Sequence, residues 1–276
     1  MRDGIILSPR TTQPQVPTAP RLDTALGASL RSAFLPSLSN RDLLSGVPIN
    51  GSLGTAVVGQ FGRGQAFTGV LTASEMVMPG ASAYPFVLVW AGRLTAIVTS
   101  PAPIYVSING GAGNAHYIIG GSSTQVVYTT RNNFGTVDQL AVTPPGGSSI
   151  NVDLLIIAQS LSATDHRIYC NGVMAASTVD SGVPVSAFDR IGLCGTTTAN
   201  DHHTYFAGFG RRGLMDSYAR RATLTSTAFW GELFPPQQRR IWVPAAGAAT
   251  GTIPLVGRGP GFALAGRGGI AGSRAA

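Results

Sequence analysis

The segment TTTANDHHTYF (196–206) holds the densest set of groups that could recognise a ligand: Asn200, Asp201, His202 and Tyr205. An amide, a carboxylate and an imidazole exchange hydrogen bonds with sugar hydroxyls, and a tyrosine ring offers a flat face for a pyranose. The competing expectation is that Tyr205 and Phe206 open a strand and that one of them is core. The same cluster raises metal binding, with Asp165 and His166 in another expected turn. Consecutive strand side chains point to opposite faces, so His202 and His203 are not expected to share one ion.

Catalytic chemistry has little footing. Glycoside hydrolysis needs two carboxyl groups held about 5 Å or more apart across the scissile bond. The only glutamates are Glu75 and Glu232, and no E-x-D-x-E run exists. There is no G-x-S-x-G elbow. Cys170 and Cys194 end the strand-like runs RIYC and IGLC, where cysteine behaves as a small buried hydrophobe. Two cysteines are too few for a disulfide framework, and whether they pair stays open. The expectation is a binding protein and not an enzyme.

Charge points to partners. Formal net charge is +7, and all 19 basic residues are arginine. The pairs Arg211–Arg212, Arg220–Arg221 and Arg239–Arg240 suit an acidic protein surface or nucleic acid, since the guanidinium fork grips carboxylate and phosphate alike. No nucleic-acid module accompanies them, so protein packing is the expectation and direct nucleic-acid contact is not.

The elements that must position these residues are strands. Gly (36) and Pro (18) are frequent, and only 11% of residues are charged. GIIL (4–7) reads as a short strand and RTTQPQVPTAP (10–20) as a polyproline-like arm. Residues 29–80 carry short apolar runs broken by glycine. YPFVLVWAGRLTAIVTS (84–100), APIYVSING, AHYIIGG, TQVVYTTRNN and QLAVTPP follow, each bounded by turn residues. INVDLLIIAQS (150–160) reads as a central strand covered on both faces. In HRIYCNGVMAAST (166–178), Asn171–Gly172 predicts a type I′ hairpin turn. One helix is predicted, STAFWGELF, capped by Thr225 and stopped by Pro235–Pro236. A Gly/Ala-rich tail with Arg258, Arg267 and Arg274 closes the chain. No run reaches the ~20 apolar residues of a membrane span, and MRDGIILSPRTTQPQVP lacks an export-signal core.

Four segments, in order, resemble the concanavalin A-like lectin/glucanase superfamily, in particular its laminin-G-like members. FGRGQAFTG (61–69) is similar to an early G-x-G-x-A-x-x-F-x-G run. HRIYCNGVMAAS (166–177) resembles an x-L-Y-V-D-G-x-x-x-A hairpin with Asn171 in the Asp position. DRIGLCG (189–195) resembles an x-R-I-G-G strand, and GLMDSYARRATLTSTAFWGEL (213–233) a closing strand and helix. The resemblance spans roughly residues 30–234. It implies an all-β, two-sheet antiparallel jelly-roll sandwich of about a dozen strands, residues 29–234, between an N-terminal arm (1–28) and a C-terminal arm (235–276). Laminin-G-like domains often hold Ca²⁺ through loop carboxylates, which makes Asp138, Asp201 and Asp216 conceivable ligands. No other cofactor is expected.

RRIWVP (239–244) resembles tails of lectin-like proteins from tailed-phage and prophage regions. With the two arms, it implies a virion-associated structural protein: a capsid decoration, head-fibre or tail component, assembled in the host cytoplasm. Arg239, Arg240, Ile241, Trp242 and Val243 are the expected assembly interface. The expected partners are other virion proteins or further copies of the chain, with host-surface glycan in addition and no membrane contact. The alternative is a carbohydrate-binding adhesion module using Asn200, Asp201, His202 and Tyr205.

Overall fold

The structure is a computed structural model, and it describes residues 5–7, 20–51, 53–59, 62–69, 74–82, 84–96, 103–107, 116–120, 123–131, 137–177, 188–194, 200–224, 227–234 and 239–241. The chain divides into two compact units, one of residues 11–236 and one of residues 1–10 with 237–276.

The larger unit is an antiparallel β-sandwich. Its eight-stranded sheet contains β2 (Leu30–Phe34), β3 (Thr55–Gly59), β4 (Gly62–Gly69), β6 (Phe86–Leu94), β11 (Asp153–Ser160), β12 (His166–Cys170), β13 (Val173–Ser177) and β15 (Asn200–Gly210), in the order β13-β12-β11-β6-β15-β4-β3 with β2 also on β15. Its six-stranded sheet contains β5 (Ser74–Ser82), β7 (Ile104–Ser107), β8 (His116–Gly120), β9 (Val126–Arg131), β10 (Val137–Val142) and β14 (Phe188–Cys194), in the order β10-β9-β8-β7-β14-β5.

Strands β6 and β11 are apolar on both faces because both faces are covered. Phe86, Leu88, Trp90, Leu154, Ile156 and Ala158 point toward the six-stranded sheet, while Val87, Val89, Ala91, Leu155 and Ile157 point away from it into a second apolar cluster. That second cluster is supplied by β2 and by α1 (Ala25–Ser29), α2 (Asp216–Ala219) and α3 (Thr227–Leu233). Thr24 caps α1: its hydroxyl accepts from the Gly27 amide at 3.1 Å and donates to the Glu232 carbonyl at 2.6 Å. Phe229 and Trp230 of α3 both meet Phe206 edge-on, at 5.7 and 6.4 Å.

Several expectations hold. β11 is the doubly covered strand. Asn171 and Gly172 take φ of 44° and 87°, the two positive values a type I′ turn needs, and they join β12 to β13. The predicted helix is present as α3, with Thr225 outside the described residues. Two expectations differ. Residues 20–28 belong to the sandwich, not to an arm, because Leu26 is fully buried under α3. The expected closing strand around Asp216 is the short helix α2. Its Tyr218 and the flanking Leu214 and Ala222 are buried and recur every fourth residue, the spacing of a helical face.

In the smaller unit β1 (Ile5–Leu7) pairs antiparallel with β16 (Arg239–Ile241), placing Ile5 opposite Ile241, Ile6 opposite Arg240 and Leu7 opposite Arg239. The two expected arms pair with each other over these three residues. Trp242, Val243 and the polyproline-like stretch lie outside the described residues.

Candidate functional site

Strand β15 carries the predicted ligand residues and splits them between two faces. His202 is completely buried between the sheets, stacked on Phe67 with centroids 5.0 Å apart and edge-on to Trp90 at 6.3 Å. Its Nε2–H donates to the Leu193 carbonyl at 3.1 Å, and Nδ1 has no partner. Burial pushes its pKa down to about 3, so the ring is neutral. Beside it, Trp90 Nε1 donates to Thr204 Oγ1 at 2.9 Å. These are core groups with no access to a ligand.

The opposite face is different. A β-bulge between Thr204 and Phe206 sets Tyr205 and Phe206 on the same, outer side. The Tyr205 ring lies against β4, where a Cβ on Gly64 would come within 2.7 Å of it. Tyr205 is only 1% exposed, so it offers no stacking platform. Its hydroxyl donates to Asp153 Oδ1 at 3.2 Å, and burial pushes its pKa up to about 12. Asn200 opens the strand opposite Gly69, its side chain outside the described residues; Asp201 is half-buried and shares the outer face with His203. The four predicted residues therefore do not converge on one surface: Asp201 and the Tyr205 hydroxyl remain, while His202 is core.

Arg93 and Asp153, missed in the sequence, and His203, weighed there only for metal binding, complete what is there. Strand register places His203 of β15 opposite Arg93 of β6, and Arg93 opposite Asp153 of β11. Arg93 grips Asp153 through two parallel bonds, Nε to Oδ1 and Nη2 to Oδ2, both 3.0 Å. That bond raises the guanidinium pKa further. Burial, then the Arg93 charge, holds His203 below the usual imidazole value, so it is mainly neutral at pH 7. Apolar cover on this face ends at Ala91, Leu155 and Tyr205, and the next outward positions are Arg93, Asp153 and His203. The Arg93 side chain stays 32% exposed and that of Asp153 9%. Thr68, opposite Asp201, is exposed. The result is a polar strip at the rim of the eight-stranded sheet. It holds an oriented guanidinium with Nη1 outside the ion pair, a neutral imidazole, the Asp201 carboxylate and a threonine hydroxyl.

A second polar row crosses the six-stranded sheet. Tyr105 and Glu75 both lie opposite Gly192, and a Cβ there would come within 1.9 Å of the Tyr105 ring. The ring crosses that gap and its hydroxyl donates to Glu75 Oε1 at 3.0 Å, while Arg190 Nη1 stands 3.5 Å from Oε2. Both Tyr105 and Glu75 are buried, so the row stitches three strands together. Among the described residues no three metal-ligating side chains gather. Asp216 is taken by Tyr169 at 2.8 Å and Arg220 at 2.6 Å, and the side chain of Asp138 lies outside the described residues. Cys170 and Cys194 are buried and not joined in a disulfide.

No family model matches the chain, and no curated protein matches it. Solved structures do. The binding domain of Paraclostridial Mosquitocidal Protein 1 is 14% identical with a TM-score of 0.54, over 70% of this chain and 51% of that one. The Botulinum neurotoxin serotype D ligand binding domain, in complex with N-acetylneuraminic acid, is 9% identical with a TM-score of 0.53 over the same shares. Trypanosoma rangeli sialidase, in complex with sialic acid, is 15% identical with a TM-score of 0.50, over 70% of this chain and 32% of that one. The chain spans about half the length of the two toxin domains and a third of the sialidase. At these identities the likeness concerns the fold alone, a β-sandwich.

Proposed function

We propose that the chain is a carbohydrate-binding β-sandwich module that uses the outer rim strip of Arg93, Asp153, Asp201 and His203. The observation that carries this is the bidentate Arg93–Asp153 pair, which fixes a half-exposed guanidinium where the apolar cover stops. Sugars are bound by such preorganised fans of donors and acceptors: Arg93 Nη1 donates, the Asp201 carboxylate accepts, and His203 does either at its two nitrogens. Two of the structurally similar chains are described in complex with N-acetylneuraminic acid or sialic acid, which supports testing acidic saccharides. The module binds and does not catalyse in this reading, since Glu75 is engaged by Tyr105 and Arg190.

A glycan array on the full chain tests it, with Asp201→Ala and His203→Ala as partners. Both variants keep the fold by circular dichroism and lose about tenfold or more in affinity for any saccharide bound, roughly one lost charged hydrogen bond. A silent array with folded protein, or variants that bind like the parent, would reject the site.

We propose as a second reading a virion-associated structural protein that docks through the unit in which β1 pairs with β16. Deleting residues 237–276 should then reduce a defined oligomer, measured by light scattering, to a monomer. A monomer in both forms removes self-assembly from the account.

A further inference from the structure

The described arginines fall into two groups. Arg21, Arg93, Arg167, Arg190 and Arg220 each sit on a carboxylate: Asp23, Asp153, Asp165, Glu75 and Asp216. Arg41, Arg63 and Arg221 do not, nor do Arg31, Arg211 and Arg212, and all six are exposed; the last three lie at one end of β2 and β15. The topology brings these three together. Leu30 of β2 pairs with Gly210 of β15, the Arg211 amide donates to the Ser29 carbonyl at 2.9 Å, and Ser29 Oγ donates to the Arg212 carbonyl at 2.8 Å. The backbone beneath them is tightly packed, because a Cβ on Gly210 would lie 2.2 Å from Ser29 Oγ.

The sequence offers three Arg pairs and does not rank them; the structure does. Arg220 is held by Asp216 and the Met174 sulfur, and Arg221 bonds the Ser217 carbonyl. The side chains of Arg239 and Arg240 lie outside the described residues. Arg211–Arg212 is left facing water, with Arg31, whose Nη1 donates to the Leu30 carbonyl at 3.1 Å, as a third charge. Like charges held on a rigid support repel one another, and a multivalent anion relieves that repulsion.

We infer that Arg31, Arg211 and Arg212 form a second binding surface, for a polyanionic saccharide bearing sulfate or carboxylate groups. Charge alone would do the reading. The exposed large hydrophobic residues among those described are Leu22, Val58, Val173 and Met215, so no aromatic platform stands ready for a nucleic-acid base. The patch lies at the far end of β15 from the rim strip, about 30 Å away at ~3.3 Å per residue. It is therefore independent of the strip.

The test is heparin binding by the full chain, measured by calorimetry across a range of salt. The combined variant Arg31→Gln, Arg211→Gln, Arg212→Gln should bind about tenfold or more weakly, and the slope of log K against log salt should flatten by about 2 to 3. A control with equal net charge, Arg41→Gln, Arg63→Gln, Arg221→Gln, should change affinity by less than about twofold. Asp201→Ala should bind heparin like the parent, which separates this surface from the rim strip. Equal losses in the two triple variants, parental binding by the first, or a loss in Asp201→Ala would overturn the inference. So would duplex DNA of matched charge displacing heparin from the patch, which would make the partner a nucleic acid.

Discussion

His202 and His203 are consecutive residues of β15, yet one is sealed between two sheets and the other stands beside a guanidinium on the opposite face. The inner face links several of its polar groups to one another, although His202 Nδ1 has no partner. Tyr128 donates to Ser160 at 2.7 Å, Ser160 to His166 Nδ1 at 2.9 Å, and His166 Nε2–H to the Ala163 carbonyl at 2.9 Å, a chain that leaves nothing for a ligand. The outer rim instead holds polar groups part-way in water, with Arg93 oriented by Asp153 but not enclosed. In the proposed reading the same strand serves stability on one side and recognition on the other. What decides between them is whether another layer covers the face.

Breaking the inner side should have the largest effect. Trp90→Ala removes a fully buried indole and leaves Thr204 without its donor, so urea unfolding should show a loss of about 3 to 5 kcal/mol. Acid should come next. The unfolded His202 ring takes a proton near pH 6.5 and the folded one only near pH 3, so below pH 6.5 the unfolded chain binds more protons and stability falls. The slope should reach about 1.4 kcal/mol per pH unit, and His202→Phe should flatten most of it.

On the outer side, Asp153→Asn weakens the bidentate pair and the Tyr205 bond together. It should cost about 1 to 3 kcal/mol in denaturant midpoints and also reduce saccharide affinity. Smallest is His203→Ala, which should stay within about 0.5 kcal/mol of the parent while still losing ligand binding. If His203→Ala destabilised as much as Trp90→Ala, the contrast between the faces would fail.

The strand framework was legible because its signals are local. Asn171–Gly172 specifies a turn by its own φ preferences, and the apolar run of β11 announces burial on both faces. The site was only half legible. TTTANDHHTYF was singled out, but strand alternation and the bulge at Tyr205 sent His202 into the core and tucked the Tyr205 ring under cover. Arg93 and Asp153 were missed because they are 60 residues apart and meet only through the pairing of β6 with β11. A signal existed: each is the lone charge in an otherwise apolar strand, FVLVWAGRL and DLLIIAQS, where a buried partner is required. The packing of residues 20–28 was hidden for the same reason, since Leu26 shares its apolar cluster with a helix some two hundred residues later.

The most direct test of the central claim is an amide chemical-shift titration of the isotopically labelled chain with the strongest saccharide from the array. The account predicts saturable shifts concentrated at Thr68, Arg93, Asp153, Asp201 and His203, with those around Trp90 and Leu193 unmoved. Saturable shifts that instead cluster on the other sheet or in the chain ends, with the rim silent, would contradict it.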